Sequence, residues 1–251
     1  LSDPLRPGVR EAVAECRAAG IRVVMITGDY PVTAQAIARE AGLAEGEVVT
    51  GADLARLDPA ERAARFGEAS VFARIMPEQK LAIVDALQAH GEVVAMIGDG
   101  VNDAPALKAA DIGVAMGKRG ADVAREAAAI VLTDDDFTRI PGAVRLGRRI
   151  YDNIRKAMSF ILAVHAPIAG LALLPLLTGL PVMFGPIQIA LLEMIIDPLC
   201  ALVFEAEREE PDIMKRPPRS PAEPLLSRGL VLRAAAQGGI AFAGLSALLL
   251  G

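Results

Sequence analysis

The first half of the chain alternates short apolar runs with segments of helical spacing. Six apolar runs are predicted to be strands, at 21–26, 48–50, 71–73, 93–97, 112–116 and 129–132. Helices are predicted around them, at 9–19, 31–40, about 59–66, 78–89 and a short segment opened by Pro105. Continuous apolar runs are typical of strands buried on both faces of a parallel sheet. Because strands and helices alternate, the pattern predicts an α/β, Rossmann-like domain over residues 1–135.

The second half has a different pattern, in which long apolar runs replace the short ones. Residues 136–156 have helical spacing and carry six Lys or Arg side chains, which predicts a cytoplasmic stalk helix. The transmembrane region is predicted at 157–251, with spans at 157–177, 187–206 and 229–251, the last one truncated. A span needs roughly 20 apolar residues. Because the turn at 178–186 is uncharged and Lys and Arg flank the opposite ends, residues 1–156 are predicted to be cytoplasmic in a multi-pass cell-membrane protein.

The composition narrows the functional classes only a little. The 251 residues are 53% hydrophobic and carry a formal net charge of −5, which gives no reason to expect a nucleic-acid partner. Cys16 and Cys200 lie in regions of different character, so a reduced cytosol fits better than a disulfide scaffold. The chain opens without an initiator Met or a signal peptide, and we expect it to be a fragment of a longer protein.

The main chemical signal follows the predicted strand at 93–97. Asp99, Asn102 and Asp103 come directly after this strand, at the edge where open α/β folds bind ligands. Two carboxylates four residues apart repel each other unless a cation lies between them, and oxygen ligands suit Mg²⁺ and phosphate chemistry. An ordinary Gly-Asp-Gly turn followed by an Asn-Asp helix cap is the alternative. The whole pattern favours a metal site.

Two further segments carry candidate phosphate-binding groups. Thr27, Gly28 and Asp29 follow the predicted strand at 21–26, where hydroxyl and backbone N–H groups can hold a phosphoryl group. An ordinary strand-to-helix turn is the alternative. Lys80 lies in the first turn of the predicted helix at 78–89, a position that the helix dipole favours for anions rather than cations. A solvated surface lysine is the alternative for this residue.

These segments resemble motifs of the P-type cation-transporting ATPases, whose phosphorylation domain is haloacid dehalogenase-like. Residues 98–110 resemble the hinge motif, 27–29 the Thr-Gly-Asp phosphate-binding motif, and 76–80 the segment that supplies the active-site lysine. The resemblance implies that Asp99 binds Mg²⁺ with support from Asp103. It also implies a catalytic group at the positions Thr27, Gly28, Asp29, Lys80, Asn102 and Asp103.

Two acids interrupt the second predicted span. Glu193 and Asp197 are spaced i, i+4 and share one helix face, and each acid at mid-membrane costs roughly 2.5–3.5 kcal/mol. Pro198 lacks the N–H that would bond the Met194 carbonyl, which leaves an acceptor beside both carboxylates. This pattern predicts a site for the transported cation. Acids that are protonated, or bonded to neighbouring helices for packing alone, are the alternative.

The resemblance bears on the ion as well. Asp197 matches an acid of the sixth membrane helix in calcium-pump-like members, whereas Glu193 and His165 stand where Asn is usual. Ile168 replaces an acid of the calcium pumps, so one expected carboxylate is missing. His165 is predicted to be an ion ligand or a proton carrier, and a structural hydrogen bond to the next helix is the alternative.

The resemblance implies part of an ATP-driven, ion-translocating ATPase that forms an aspartyl phosphate and exports or sequesters a cation, with calcium as the favoured ion. The Asp-Lys-Thr-Gly-Thr motif of the nucleophile does not occur in the sequence. The nucleophile, the nucleotide-binding domain and the first membrane helices are therefore expected upstream, and this chain alone is expected to be inactive. A soluble haloacid dehalogenase-type phosphatase and a non-enzymatic membrane subunit are the alternatives.

Overall fold

The computed structural model describes residues 5–44, 46–57, 65–182 and 184–250. The chain divides into two compact units, one formed by Leu1–Ala143 with Met214–Pro218 and the other by Val144–Ile213 with Arg219–Gly251. The first unit is α/β and the second is helical. The predicted fold class, an α/β domain followed by apolar helices, is confirmed.

The described residues of the first unit form six parallel strands. They are β1 Met25–Ile26, β2 Val48–Thr50, β3 Val71–Ala73, β4 Ala95–Gly98, β5 Ile112–Met116 and β6 Ile130–Leu132. The α-helices of this unit are α1 Val9–Ala18, α2 Pro31–Glu40, α3 Gly51–Arg56, α4 Pro77–Ala89, α5 Ala104–Ala109 and α6 Asp122–Ala127. A 3₁₀ turn, Val101–Asp103, precedes α5. Residues 65–68 are helical, and the rest of the helix predicted near 59–66 lies outside the described residues.

The strands form two three-stranded sheets, whereas a single Rossmann-like sheet was predicted. The strand orders are β1-β3-β2 and β4-β5-β6. The predicted strand at 21–26 is also too long, because only Met25 and Ile26 pair with β3, while Val23 and Val24 use their apolar side chains for packing. Apolar character therefore predicted burial at this segment but not the extent of the hydrogen-bonded ladder.

The prediction that the 93–97 strand is buried on both faces was wrong. Val93 lies before β4 and is 57% exposed, and Ala95 is exposed at the start of the strand. Met96 is the buried residue of β4, with 8% of its surface exposed, and it packs among Val84, Leu107 and Ala115. One face of this strand therefore contacts the core through Met96.

The apolar core of the first unit surrounds the strands. Phe72 in β3 is fully buried and contacts Phe66 edge-to-face, with ring centroids 5.3 Å apart. Ile26 and Val94 each pack against both the cluster around Phe72 and the cluster around Met96. Burial of these side chains therefore holds the segments that end at the candidate site.

The second unit is built from three long helices, α7 Arg139–Thr178, α8 Pro186–Ala206 and α9 Arg228–Leu250. Each is long and apolar enough to cross a membrane. The first of these helices starts at Arg139, three residues after the predicted start at Asp136. The Asp136 carboxylate instead accepts a hydrogen bond from the Thr138 N–H, ahead of the helix. The predicted stalk and first span are one continuous helix of 40 residues.

Close packing joins α7 to α9. Pro167 in α7 has no N–H, so the helix leaves the Ala163 carbonyl without its usual donor. Gly238 of α9 lies against this carbonyl, and a Cβ at Gly238 would come within 2.5 Å of the oxygen and 2.6 Å of Ala166 Cβ. One turn further along α9, the Phe242 ring covers Gly170. Small residues thus allow the two helices to approach each other.

The basic face of α7 is paired with acids rather than only solvated. Arg145 contacts Glu209 at 3.2 Å, and Lys156 contacts Glu207 at 3.2 Å and Glu210 at 2.7 Å. These acids lie on the segment that follows α8. Partly exposed pairs contribute only about 0–1 kcal/mol each, but the three contacts together hold this segment against α7.

Candidate functional site

The loop after β1 is held by hydrogen bonds at both its backbone and its side chains. The Thr27 N–H donates to the Phe72 carbonyl at 2.9 Å, and the Ile75 N–H donates to the Thr27 carbonyl at 3.1 Å. The Thr27 hydroxyl donates to the Asp29 carboxylate at 2.9 Å and accepts from the Asp29 N–H at 3.1 Å. Gly28 and Asp29 are exposed. The structure therefore brings Thr27 and Asp29 together on a loop whose backbone is anchored to β3.

Lys80 and Asp103 form an ion pair that explains the unusual position of the lysine. Lys80 Nζ lies 2.5 Å from Asp103 Oδ1, and the two side chains are only 21% and 8% exposed. The other carboxylate oxygen of Asp103 accepts a hydrogen bond from the Gly100 N–H at 3.2 Å. A Cβ at Gly98 would lie 2.7 Å from Asp103 Cβ, so the absence of a side chain there makes room for Asp103. The pair fixes the lysine ammonium beside the turn after β4.

Asp99 and Asn102 remain exposed at the same turn. The backbone carbonyl of Asp99 accepts a hydrogen bond from the Ala121 N–H at 2.9 Å, whereas its carboxylate faces solvent. Within the described ranges, three or more His, Cys, Asp or Glu side chains nowhere gather closely enough to enclose a metal ion. This arrangement fits Mg²⁺, which in phosphate chemistry is bound through one or two carboxylates together with waters and phosphate oxygens.

Asp135 is a structural residue of the site that the sequence analysis did not identify. Its carboxylate oxygens accept hydrogen bonds from the N–H groups of Lys118 and Arg119, each at 2.9 Å. Asp135 is 5% exposed, has a positive φ of 56°, and its carbonyl accepts a hydrogen bond from Arg6. The available signal was its place in an acidic triplet at 134–136, one residue after the strand predicted at 129–132.

The loop that contains Lys118 and Arg119, which Asp135 holds, is hydrogen-bonded to the backbone of Asp99. The Arg125 guanidinium donates to the carbonyls of Gly117 at 2.9 Å and Gly120 at 2.7 Å, which fixes the other side of the loop. A Cβ at Gly120 would collide with the Met116 carbonyl, so only glycine fits there. The next residue, Ala121, donates its N–H to the Asp99 carbonyl. Asp135 therefore supports the backbone that carries Asp99.

The protonation of Asp135 couples this loop to pH. Burial raises the pKa of Asp135, but hydrogen bonds from the backbone N–H groups of Lys118, Arg119 and Gly117 lower it, and the net pKa lies below its ordinary value of 3.8. A carboxylate with a lowered pKa stabilises the fold fully above the ordinary pKa. This stabilisation is lost as the pH falls from 3.8 towards the lowered pKa of the folded state.

Asp135→Asn is expected to lower the midpoint of thermal unfolding at about pH 6, because one carboxylate oxygen and its charge are lost. The gap from the wild-type chain should narrow at about pH 3, which lies below the ordinary pKa of 3.8, because the unfolded carboxylate is then mostly protonated and the folded charge contributes less stability. Thermal unfolding of the chain in detergent measures both effects. Asp85→Asn, on the exposed face of α4, removes the same charge and serves as the control. An equal gap at both pH values would contradict the role given to the carboxylate.

Two of the three polar side chains predicted for the ion site lie close to each other. His165 Nε2 of α7 lies 3.5 Å from Glu193 Oε1 of α8, and His165 Nδ1 lies 2.8 Å from the Ile161 carbonyl. Asp197 is exposed one turn beyond Glu193. Pro198 lies inside α8 next to it. Of the three predicted ion-site residues, the structure brings His165 and Glu193 into contact and leaves Asp197 outside this contact.

The comparisons with known proteins cover both units. Residues 1–111 match the haloacid dehalogenase-like hydrolase family, and residues 181–251 match the family described as cation transporting ATPase, C-terminus. The chain is 46% identical over 238 residues to a calcium-transporting ATPase of Bacillus subtilis, covering 94% of this chain and 27% of that protein. It is 48% identical over 239 residues to a probable cation-transporting ATPase F of Mycobacterium tuberculosis, covering 93% and 26%.

A more distant relative has a different ion in its name. The chain is 41% identical over 247 residues to the sodium/potassium-transporting ATPase subunit alpha of Drosophila melanogaster, covering 87% of this chain and 24% of that protein. The chain thus spans about a quarter of the length of these relatives. Its three apolar helices place it in a membrane, with the hydrolase-like region in the cytoplasm. The chain joins a haloacid dehalogenase-like region to a region that matches the C-terminus of cation-transporting ATPases, and it is a homologue of proteins named as calcium- or cation-transporting ATPases.

Proposed function

We propose that the chain is part of an ATP-driven cation pump that forms an aspartyl-phosphate intermediate. One observation carries this proposal, namely that a single chain joins the Lys80–Asp103 pair and exposed Asp99 of the hydrolase-like region to apolar helices with His165 and Glu193 in contact. The relatives that match nearly the whole chain are named as cation-transporting ATPases. The phosphorylated aspartate, the nucleotide-binding domain and further membrane helices are proposed to lie in the longer protein.

The residues of the first unit have distinct roles in this proposal. Asp99, supported by Asp103, holds Mg²⁺, which supplies positive charge to offset the charge that develops on the transferred phosphoryl group. Lys80 adds a second positive charge, and its pair with Asp103 keeps the ammonium in place. Asp103 thus acts mainly through Lys80.

The remaining residues of the site position the phosphoryl group. The backbone of Gly28 binds its oxygens. The Thr27 hydroxyl, which donates to Asp29 in this structure, turns its proton to the phosphoryl oxygens on binding, while the Asp29 N–H keeps the Thr27 side chain in place. Asn102 supplies an exposed amide at the turn that carries Asp99. Such a site accelerates the reaction through positioning and electrostatic stabilisation, because phosphoryl transfer leaves little covalent chemistry for the protein.

The ion that crosses the membrane is proposed to bind at Glu193, Asp197 and His165. Calcium is the ion in the name of the relative from Bacillus subtilis, but the relative from Drosophila melanogaster is named for sodium and potassium. Acids within an apolar helix are costly, and they are retained where they bind a cation or a proton. Glu193 and Asp197 lie one turn apart on α8 and can serve the same cation.

Cation-stimulated phosphorylation of the full-length protein tests this proposal. Asp197→Asn is expected to raise the cation concentration for half-maximal phosphorylation from ATP about tenfold or more, because one carboxylate ligand of the ion is lost. Glu205→Gln, at the end of the same helix, is the matched control. If no cation stimulates phosphorylation of the wild-type protein, the pump proposal fails. If stimulation survives Asp197→Asn unchanged, Asp197 is removed from the ion site.

A soluble phosphatase is the weaker alternative. It would use the residues of the first unit but would leave α7, α8 and α9 without a role, although each is apolar and long enough to cross a membrane. A non-enzymatic membrane subunit would leave the Lys80–Asp103 pair without a role. Partitioning of the chain into detergent and transfer of phosphate from ATP to the full-length protein separate these alternatives from the pump.

A further inference from the structure

We propose that the membrane site binds a divalent first-row transition cation of the Fe²⁺-to-Zn²⁺ series in preference to Ca²⁺. The inference rests on the proposed pump function and concerns the ion that the pump carries. Its basis is the contact between His165 of α7 and Glu193 of α8, which combines an imidazole nitrogen with a carboxylate oxygen.

The hydrogen bond of His165 within its own helix sets the tautomer of the ring. Nδ1 lies 2.8 Å from the Ile161 carbonyl, which can only accept a hydrogen bond, so Nδ1 carries a proton and donates. In a neutral ring Nε2 then carries a lone pair, and Nε2 is the atom that faces Glu193. Histidines that bind metals are held in the same way, with the second ring nitrogen donating to a carbonyl or a carboxylate.

The distance between the two side chains is longer than a direct hydrogen bond and leaves room for a bridging ion. Nε2 and Oε1 are 3.5 Å apart, whereas charge-assisted N–H···O hydrogen bonds measure about 2.7–2.9 Å. Two lone pairs at this distance repel each other unless a proton or a metal cation lies between them. Bonds of about 2.1 Å to one metal ion, at a tetrahedral angle, separate the two ligand atoms by about 3.4 Å.

The type of ligand decides the class of ion. Ca²⁺ is bound by oxygen ligands, six to eight of them as a rule, and an imidazole nitrogen is not among its usual partners. Imidazole suits the ions from Fe²⁺ to Zn²⁺, and affinity rises along most of this series. The His165 and Glu193 side chains are 45% and 41% exposed in this chain, so both side chains are accessible to a cation. Asp197, one turn away on α8, is exposed as well.

A structural ion pair between protonated His165 and Glu193 is the competing explanation. It would join α7 to α8 without any metal, and it would need a proton on Nε2 in addition to the proton on Nδ1. The two explanations differ in what a change from nitrogen to oxygen should do. An oxygen ligand at position 165 should favour Ca²⁺ if the site binds metal, and it should have no effect on metal preference if the pair is structural.

The test uses the full-length protein, with Zn²⁺, Co²⁺ and Ca²⁺ as probes. Phosphorylation from ATP is expected to be half-maximal at a free Zn²⁺ or Co²⁺ concentration at least about tenfold below that for Ca²⁺. His165→Asn, which replaces the nitrogen with an amide oxygen, should raise the Zn²⁺ and Co²⁺ concentrations about tenfold or more and leave that for Ca²⁺ within about twofold. His90→Asn, at the other histidine of the chain, is the matched control.

Direct binding of Co²⁺ separates failure of this inference from failure of the pump proposal. Bound Co²⁺ in a site with nitrogen and carboxylate ligands is expected to give a visible absorption that is lost in His165→Asn and kept in His90→Asn. His165-dependent Co²⁺ absorption without stimulation by any cation would support the site and reject the pump. Stimulation by Ca²⁺ alone, with no His165-dependent Co²⁺ absorption, would overturn the inference and leave the pump proposal standing.

Discussion

Asp99→Asn in the full-length protein is expected to lower the rate of Mg²⁺-dependent phosphorylation about 10²–10³-fold. The amide keeps the shape of the side chain but removes the negative charge that would hold Mg²⁺ at the turn after β4. Because the Asp99 backbone is fixed by the Ala121 N–H, the substitution should leave the turn itself intact. Transfer of phosphate from labelled ATP, measured against Mg²⁺ concentration, gives the effect.

The magnesium dependence distinguishes loss of the ligand from loss of the fold. If Asp99 binds Mg²⁺, part of the lost rate should return at higher Mg²⁺ concentrations, and the midpoint of thermal unfolding should change little. Asp85→Asn removes an exposed carboxylate in α4, away from the turn after β4, and should keep the wild-type rate. Wild-type phosphorylation in Asp99→Asn at all Mg²⁺ concentrations would exclude Asp99 as a ligand.

Gly238→Leu is expected to destabilise the helical unit by about 3 kcal/mol or more, at the upper end of the cost of overpacking. A Cβ at this position would lie 2.5 Å from the Ala163 carbonyl, which is backbone and cannot move aside as a flexible side chain can. The helices α7 and α9 would have to separate. Thermal unfolding in detergent, followed by the helical circular dichroism signal, measures the loss.

The chain offers a matched control one residue away. A Cβ at Gly239 would meet nothing within 4 Å. Gly239→Leu therefore makes the same kind of substitution, glycine to leucine, without a collision. The stability of Gly239→Leu should stay close to that of the wild-type chain. Equal losses in the two variants would mean that the approach of α9 to Ala163 does not matter for stability.

The periodicity of the sequence was sufficient to predict the strands and helices but not to predict how the strands pair. It predicted six strands, most of the helices and the long apolar helices, because burial and membrane insertion both select for apolar side chains. It overestimated β1, since Val23 and Val24 pack in the core although they take no part in the strand ladder. Backbone hydrogen bonds between distant segments are not encoded in the polarity of one segment.

The candidate site likewise depends on contacts that the local sequence does not reveal. Lys80 was assigned to the site only by resemblance, because nothing local in the sequence explains a cation in the first turn of a helix. Its partner Asp103 lies 23 residues away along the chain. Asp135 was overlooked because its function is to hold the N–H groups of Lys118 and Arg119, which belong to a separate loop.

The sequence by itself determined the fold class, the membrane helices and the residue types available for phosphate and cation chemistry, because these depend on local polarity and on short motifs. Only the tertiary structure decided which side chains meet. It paired Lys80 with Asp103 and His165 with Glu193, and it placed Gly238 against Ala163. Each of these contacts joins segments that are distant in the chain, and the contact forms only when burial of the intervening apolar residues brings the segments together.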